Sequence, residues 1–298
     1  MKKILPTIAI TLGDPAGIGP EVVAKALRDP RLPKGFRFVV LGKKSGKEIR
    51  PGKLSRTSAR MALNALREAT QGCIKGKFAA MVTGPVQKET IARIQRDFVG
   101  QTEFLARACG LPDDAAVMVL TDPKLTVALC SNHCSLPDAV ERLTTQRIVY
   151  VTKIIHDFLQ KRGVKSPSLA FAWINPHGGE GGLFGNHDMR IVSPAYEKLL
   201  KEGIVLKQGP ADTIFYYAVQ KKAFDAVVCA YHDQGLIPFK LIAFQTGVNT
   251  TLGLPIIRTS PDHGTALEIA GKGVADHRSM LAAVQLACKL AAKRPLKK

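Results

Sequence analysis

Three histidines share one context, each in a polar turn directly after an apolar run of strand length. His133 lies in Cys130-Ser131-Asn132-His133 after Leu125–Leu129. His177 lies in Asn175-Pro176-His177-Gly178-Gly179-Glu180 after Leu169–Ile174, and His232 in Tyr231-His232-Asp233-Gln234-Gly235 after Ala226–Ala230. Three neutral imidazoles converging from three strand ends would hold one divalent ion and leave positions open for substrate. Asp233 and Glu180 stand where outer carboxylates would orient them. A lone loop histidine more often faces solvent or bonds a carbonyl, and only the repetition sets the metal reading beside that plain one. Cys130, His133 and Cys134 are spaced too tightly to close a tetrahedral site alone.

Other chemistry collects late in the chain. Lys240, Asn249 and Arg258 recur nine residues apart, and Arg258 follows the apolar Leu254-Pro255-Ile256-Ile257. Such cations suit a phosphate or carboxylate, the guanidinium offering a two-pronged fork; the plain reading is surface charge. In Leu12-Gly13-Asp14-Pro15-Ala16-Gly17-Ile18-Gly19-Pro20-Glu21, three glycines before a helix could cradle an anion on backbone N–H groups. A tight turn with proline early in the helix explains them equally well. In Asp262-His263-Gly264-Thr265-Ala266 a Gly-Thr step predicts a short helix closing at Gly271, whose N-terminus would meet a phosphate or nucleotide; a capped surface helix is the alternative.

These loops need elements to hold them. Apolar runs at Thr7–Leu12, Phe36–Leu41, Phe78–Val82, Ala116–Leu120, Leu125–Cys130, Leu169–Trp173 and Ala226–Ala230 read as strands. Helical patterns fall at Glu21–Leu27, after a cap at Ser55 or Thr57, near 139–161 and 189–202, and over 277–293. This alternation predicts a layered α/β fold with its sites at the C-terminal ends of strands. No linker separates two consecutive domains. The expectation is a discontinuous lobe of 1–98 plus 250–298 and a middle lobe of 99–249 that carries the histidines.

The 298 residues are 46% hydrophobic and 22% charged, which excludes a disordered chain, and no run approaches the length of a membrane span. Lys and Arg number 43 against 24 Asp and Glu, a net charge of +19. A nucleic-acid partner would explain it, but no aromatic platform interleaves with the basic residues and no zinc-finger spacing appears. The six cysteines are thinly spread, mostly in apolar runs, as in a reduced cytoplasmic protein. Lys2 and Lys3 before Ile4–Leu12 imitate a signal peptide, yet Pro6 interrupts the run and Gly13-Asp14-Pro15 replaces a cleavage site.

Taken together, the strings TLGDPAGIGPEV (11–22), VTGPVQKE (82–89), GQTEFLA (100–106), NPHGGEGG (175–182), PADT (210–213), YHDQG (231–235) and GVNTTLGLPIIRTSPDHGTALEIAGKG (247–273) make a specific pattern. Over essentially its whole length the chain resembles the 4-hydroxythreonine-4-phosphate dehydrogenase family of vitamin B6 biosynthesis. The first and last strings are also similar to the wider isocitrate and isopropylmalate dehydrogenases. The resemblance implies a two-lobed α/β/α fold with its active site in an interlobe cleft, and a homodimer with shared active sites. It implies NAD or NADP as cofactor and one divalent metal (zinc, cobalt, magnesium or manganese) on His133, His177 and His232. Substrate contacts fall on Gln101, Thr102, Lys240, Asn249 and Arg258, with Lys240, Asp233 and Asp212 as catalytic candidates. The nucleotide would meet His263, Gly264 and Thr265. The implied reaction oxidises the C3 hydroxyl of 4-phosphohydroxy-L-threonine and then releases CO₂, giving 3-amino-2-oxopropyl phosphate.

Gln101 departs from the family, which commonly carries histidine there; a neutral amide still bonds phosphate but shuttles no proton. That leaves room for another phosphorylated hydroxy acid or a dihydrodiol as substrate. The segment after Leu41 is also short. A metal hydrolase, which needs no nicotinamide, is a further rival reading of the histidines.

Overall fold

The structure, a computed structural model, describes residues 5–42 and 49–293. The first residues of the N-terminal apolar run, part of the segment after Leu41 and the basic tail beyond Lys293 lie outside them. The chain forms two compact units, 1–116 with 245–298, and 117–244.

The first unit opens with β1 (Thr7–Thr11), α1 (Gly19–Arg28), β2 (Arg37–Leu41), α2 (Arg56–Ile74), β3 (Ala80–Thr83), α3 (Lys88–Ala92) and α4 (Gln101–Ala108). The second unit holds β4 (Val117–Thr121), β5 (Thr126–Leu129), α5 (Leu136–Glu141), α6 (Thr145–Arg162), β6 (Leu169–Ala172), α7 (Ser193–Lys201), β7 (Leu206–Gly209), α8 (Ala211–Gln220), β8 (Ala226–Cys229) and α9 (His232–Ala243). The chain then returns to the first unit with β9 (Val248–Leu252), β10 (Arg258–Pro261) and α10 (Arg278–Ala292).

In the first unit the strands lie in the order β2-β1-β3-β10-β9, parallel except for the antiparallel β9–β10 hairpin. β1 and β3 are wholly buried, as strands covered on both faces must be. Against them pack Ala59, Leu63 and Leu66 of α2, with Phe98 and Leu105. The predicted cap at Ser55 is a reciprocal capping box: its Oγ accepts from Ser58 N at 3.0 Å, and Ser58 Oγ accepts from Ser55 N at 3.2 Å.

The second unit runs β4-β5-β8-β6-β7, with β5, β8, β6 and β7 parallel and β4 antiparallel at one side. Its core joins Leu120, Val127, Leu129, Ala170, Val227 and Phe239. α6 starts on a Thr144 cap and ends at Gly163, whose φ of 103° lies in the left-handed region that stops a helix.

The expected joints were 98/99 and 249/250, whereas the units divide at 116/117 and 244/245. The reason is packing. Leu105 of α4 lies in the first unit's core, and β9 pairs along its length with β10, so neither can belong to the middle unit. Among the described residues no helix is long and apolar enough to cross a membrane.

Candidate active site

The three histidine-bearing strands, β5, β8 and β6, are parallel neighbours, so their following turns leave the sheet on one edge. The rings of His133 and His232 come within 5.3 Å of each other, centroid to centroid. His232 is the first residue of α9, and Asp233 Oδ1 lies 2.7 Å from its Nδ1. A proton on Nδ1 donated to that carboxylate leaves the Nε2 lone pair free to accept a proton or a cation and makes the imidazole more basic. Gln234 fixes the turn: its Oε1 accepts from Ala230 N at 2.7 Å and its Nε2 donates to Trp173 O at 2.8 Å. One amide thus ties the exit of β8 to the exit of β6.

His177 sits in an unusual turn. His177, Gly178, Gly179, Glu180 and Gly181 all have φ between 46° and 86°, a short left-handed coil. Glycine takes this conformation freely, whereas His177 and Glu180 pay about 1–3 kcal/mol each. A Cβ at Gly179 would lie 2.1 Å from Gly185 O, so the coil and the following segment touch backbone to backbone. Among the described residues, however, no three His, Cys, Asp or Glu side chains converge closely enough to hold a metal. The chain pairs His133 with His232, and His177 does not join them. Two imidazoles, one backed by a carboxylate, suit a borderline ion such as zinc or cobalt as part of a site; further ligands must come from beyond this pair.

In the first unit Arg258 is 3% exposed. Its Nε and Nη2 donate to Thr83 Oγ1 at 3.0 and 2.8 Å, and its Nη1 to Thr251 Oγ1 at 3.0 Å and Asn249 Oδ1 at 3.3 Å. Burial pushes the guanidinium down to about 10, with the charge of Glu103 acting the other way. It remains a cation at neutral pH, solvated by neutral oxygens, a setting that favours an incoming anion. Gln101, the first residue of α4, donates from Nε2 to Gly84 O at 3.2 Å; its Oε1 is buried with no partner among the described residues. Thr102 beside it is buried.

Lys240 lies in the last turn of α9 with its Nζ 5.5 Å from the Phe244 ring centroid. Asp212 is exposed in the first turn of α8.

Two loop expectations are corrected. In the 13–19 loop the N–H groups of Asp14, Ala16, Gly17 and Ile18 are spent inside the protein rather than on an anion. Asp14 N bonds Pro85 O, Ala16 N bonds Asp14 Oδ1, Gly17 N bonds Asp14 O, and Ile18 N bonds Thr265 O. The tight turn is what the glycines serve, with proline early in α1 as expected. Nor does the Gly264-Thr265 step open a helix. Ala266 takes φ 41°, and only a single 3₁₀ turn at Leu267–Ile269 follows, because that reversal breaks any helical run. His263 Nδ1 lies 3.0 Å from Gly264 O. Gly17 packs so tightly on this segment that a Cβ there would lie 2.7 Å from Thr265 O. Thr83, Thr251 and Gln234 join the sites without having been singled out. All three stand in the strings that carry the resemblance, but nothing in their types marked them.

The profile of the family described as "Pyridoxal phosphate biosynthetic protein PdxA" matches residues 24–287. A 4-hydroxythreonine-4-phosphate dehydrogenase from Geobacter metallireducens is 39% identical over 332 aligned positions, covering 98% of this chain and 97% of that protein. Those positions outnumber the chain's 298 residues, so the relative carries residues this chain lacks. A Bradyrhizobium diazoefficiens protein named "Putative D-threonate 4-phosphate dehydrogenase" is 37% identical, covering 96% of each. The crystal structure of 4-hydroxythreonine-4-phosphate dehydrogenase from Klebsiella pneumoniae superimposes with a TM-score of 0.83 at 34% identity, over 98% of this chain and 99% of that one. Isocitrate dehydrogenase from Methylococcus capsulatus, at 14% identity and a TM-score of 0.56 over 97% of this chain and 86% of that one, shares the fold. With a two-unit α/β architecture of the isocitrate dehydrogenase type and a match along nearly its whole length, this chain belongs to the PdxA family of pyridoxal phosphate biosynthetic proteins.

Proposed function

We propose that this PdxA-family oxidoreductase oxidises the C3 hydroxyl of 4-phosphohydroxy-L-threonine with NAD or NADP, in the cytoplasm, for pyridoxal phosphate synthesis. The observation that carries the reading is the buried Arg258 guanidinium, held by Thr83, Thr251 and Asn249, with no carboxylate hydrogen-bonded to it among the described residues. It supplies the phosphate site, with Gln101 and Thr102 as further contacts. His133, His177 and His232 are the ligands of a divalent ion, which when bound supplies Lewis acidity to the substrate hydroxyl. Asp233 holds the His232 ring in its ligating tautomer. His263, Gly264 and Thr265 would hold the nicotinamide cofactor, which would supply the hydride acceptor for C3, and Lys240 would take the hydroxyl proton. The C3 ketone so formed is β to the carboxylate; loss of CO₂ and uptake of a proton at C2 give 3-amino-2-oxopropyl phosphate. Asp212 belongs to the same proposed set, near the substrate.

Because one chain pairs only two of the histidines, the third ligand comes from a second copy of the chain. Ile237, Leu241 and Phe244, spaced along one face of α9 and its end, are 69, 87 and 70% exposed. They form an apolar stripe that starts from the His232 helix and suits a homodimer.

A second reading has the same chemistry acting on D-threonate 4-phosphate. Its support is the Bradyrhizobium relative together with the unpartnered carbonyl oxygen of Gln101, which can accept from a substrate hydroxyl. The test is NAD(P)H formation with each phosphorylated acid in turn. Turnover confined to 4-phosphohydroxy-L-threonine supports the first reading, and turnover confined to D-threonate 4-phosphate supports the second. No reduction of NAD or NADP with either would contradict both.

A further inference from the structure

The left-handed coil that carries His177 has an anchor, Asp188. Its carboxylate is 3% exposed and receives three N–H groups from the two residues at the exit of β6. Ile174 N donates to Oδ1 at 2.8 Å, while Asn175 N and Asn175 Nδ2 donate to Oδ2 at 3.1 and 2.9 Å. Asp188 in turn opens a single π-helical turn, Asp188–Val192, that leads into α7; such insertions recur at functional sites. The coil between anchor and strand is closed by backbone contacts. Phe184 N bonds Gly179 O at 3.0 Å, Gly178 lies against the Trp173 ring, and Gly185 lies against the Asn175 amide.

These contacts do different things. The glycine contacts make the coil tight and set it against Trp173 and Asn175. The Asp188 carboxylate grips the backbone itself on the strand side of Pro176, with His177 next in line. Charge-assisted bonds to a buried carboxylate are stronger and more directional than bonds between neutral groups. We infer that Asp188 is a positioning residue of the metal centre, holding the His177 coil in its ligating place. It touches neither substrate nor metal. The inference rests on the metal reading above.

Asp188→Asn is nearly isosteric, but it turns an amide N–H₂ toward the N–H groups that the carboxylate received. Asp188→Ala leaves those three N–H groups with no acceptor. Ser193→Ala, which removes only the 3.4 Å contact from Ser193 Oγ to Asp188 O, is the control. Each full-length variant is read three ways: thermal unfolding, amide hydrogen exchange of the 174–182 segment without metal, and titration with Co²⁺ followed by its visible spectrum. The expectation is that Asp188→Asn unfolds near the wild-type temperature, exchanges faster across 174–182, and binds Co²⁺ about tenfold or more weakly with an altered spectrum. Ser193→Ala should match wild type in all three.

Wild-type Co²⁺ affinity and spectrum in folded Asp188→Asn would overturn the inference. So would unchanged exchange across 174–182. If Asp188→Ala does not fold, Asp188→Asn decides alone. Wild-type protein whose Co²⁺ binding is indifferent to His133→Ala and His232→Ala would instead overturn the metal reading, and the exchange measurement would still judge the anchor.

Discussion

Arg258 directs two N–H groups onto one oxygen of Thr83, at 3.0 and 2.8 Å, from the strand next to that residue's own. A hydroxyl that accepts twice has its own proton free to point elsewhere, so Thr83 presents a donor beside a buried cation. The pair makes a polar, positively charged corner in a sheet whose strands also bury Thr11, Thr250, Thr251 and Thr259.

The corner predicts a substrate effect that charge alone does not reproduce. Arg258→Lys keeps a cation but loses the planar fork that reaches Thr83, Thr251 and Asn249 together. We expect KM for the phosphorylated substrate to rise by about 10- to 100-fold, or roughly 1.4–2.7 kcal/mol, with the fold retained. Steady-state kinetics beside a thermal melt check this, and an unchanged KM would remove Arg258 from phosphate binding.

Asp14 predicts a gain in stability. It is fully buried, and burial raises its carboxyl above the ordinary value despite bonds from Ala16 N and Ser58 Oγ. A carboxyl whose folded pKa exceeds its unfolded pKa of 3.8 favours the protonated form in the fold. Its cost is therefore absent below the unfolded value, grows as pH rises toward the folded one, and persists above it. Asp14→Asn keeps an oxygen for Ala16 N and removes the charge. Its melting temperature should exceed that of wild type at neutral pH. The difference should shrink to nothing in acid, and the sequence of melts against pH measures it.

Much of this was legible in the sequence, and the exceptions have physical causes. The Ser55 cap, β1 and the strand-end placement of the histidines follow from side-chain chemistry and period. The β9–β10 hairpin was hidden because its threonines and asparagine break the apolar alternation that marks a strand. α9 was hidden by Gly235 and Pro238, helix breakers that its buried Phe239 and Ala243 outweigh. In NPHGGEGG the glycines announce a turn but not its left hand, which depends on Gly185 and Trp173 beyond it. Asp188 carries no local signal, since its partners Ile174 and Asn175 are met only in the folded chain.

The pairing of His133 with His232, without His177, predicts complementation between inactive variants. His133→Ala and His177→Ala should each lack activity as pure dimers. If a second copy contributes His177, a mixture refolded together forms hybrid dimers in which one site regains all three imidazoles. Activity should return to about one quarter of wild type, from half the dimers with one intact site in two. No recovery in a mixture shown to contain hybrids would place all three ligands in one chain or dismiss the third.

Gly179 and Gly181 predict a contrast within one turn. Both have positive φ, but a Cβ at Gly179 meets Gly185 O at 2.1 Å whereas one at Gly181 meets nothing within 4 Å. Gly179→Ala should disrupt the coil and abolish His177-dependent metal binding. Gly181→Ala should cost only its backbone strain, about 1 kcal/mol. Metal stoichiometry and thermal melts of the two variants check the difference.

The most direct test of the whole account is NAD(P)H formation from 4-phosphohydroxy-L-threonine by chelator-treated protein, before and after addition of zinc, cobalt, manganese or magnesium. The account predicts no turnover in the chelated enzyme, recovery with at least one of these ions, and no recovery in His177→Ala. Full turnover in metal-free protein, or wild-type recovery in His177→Ala, would contradict it.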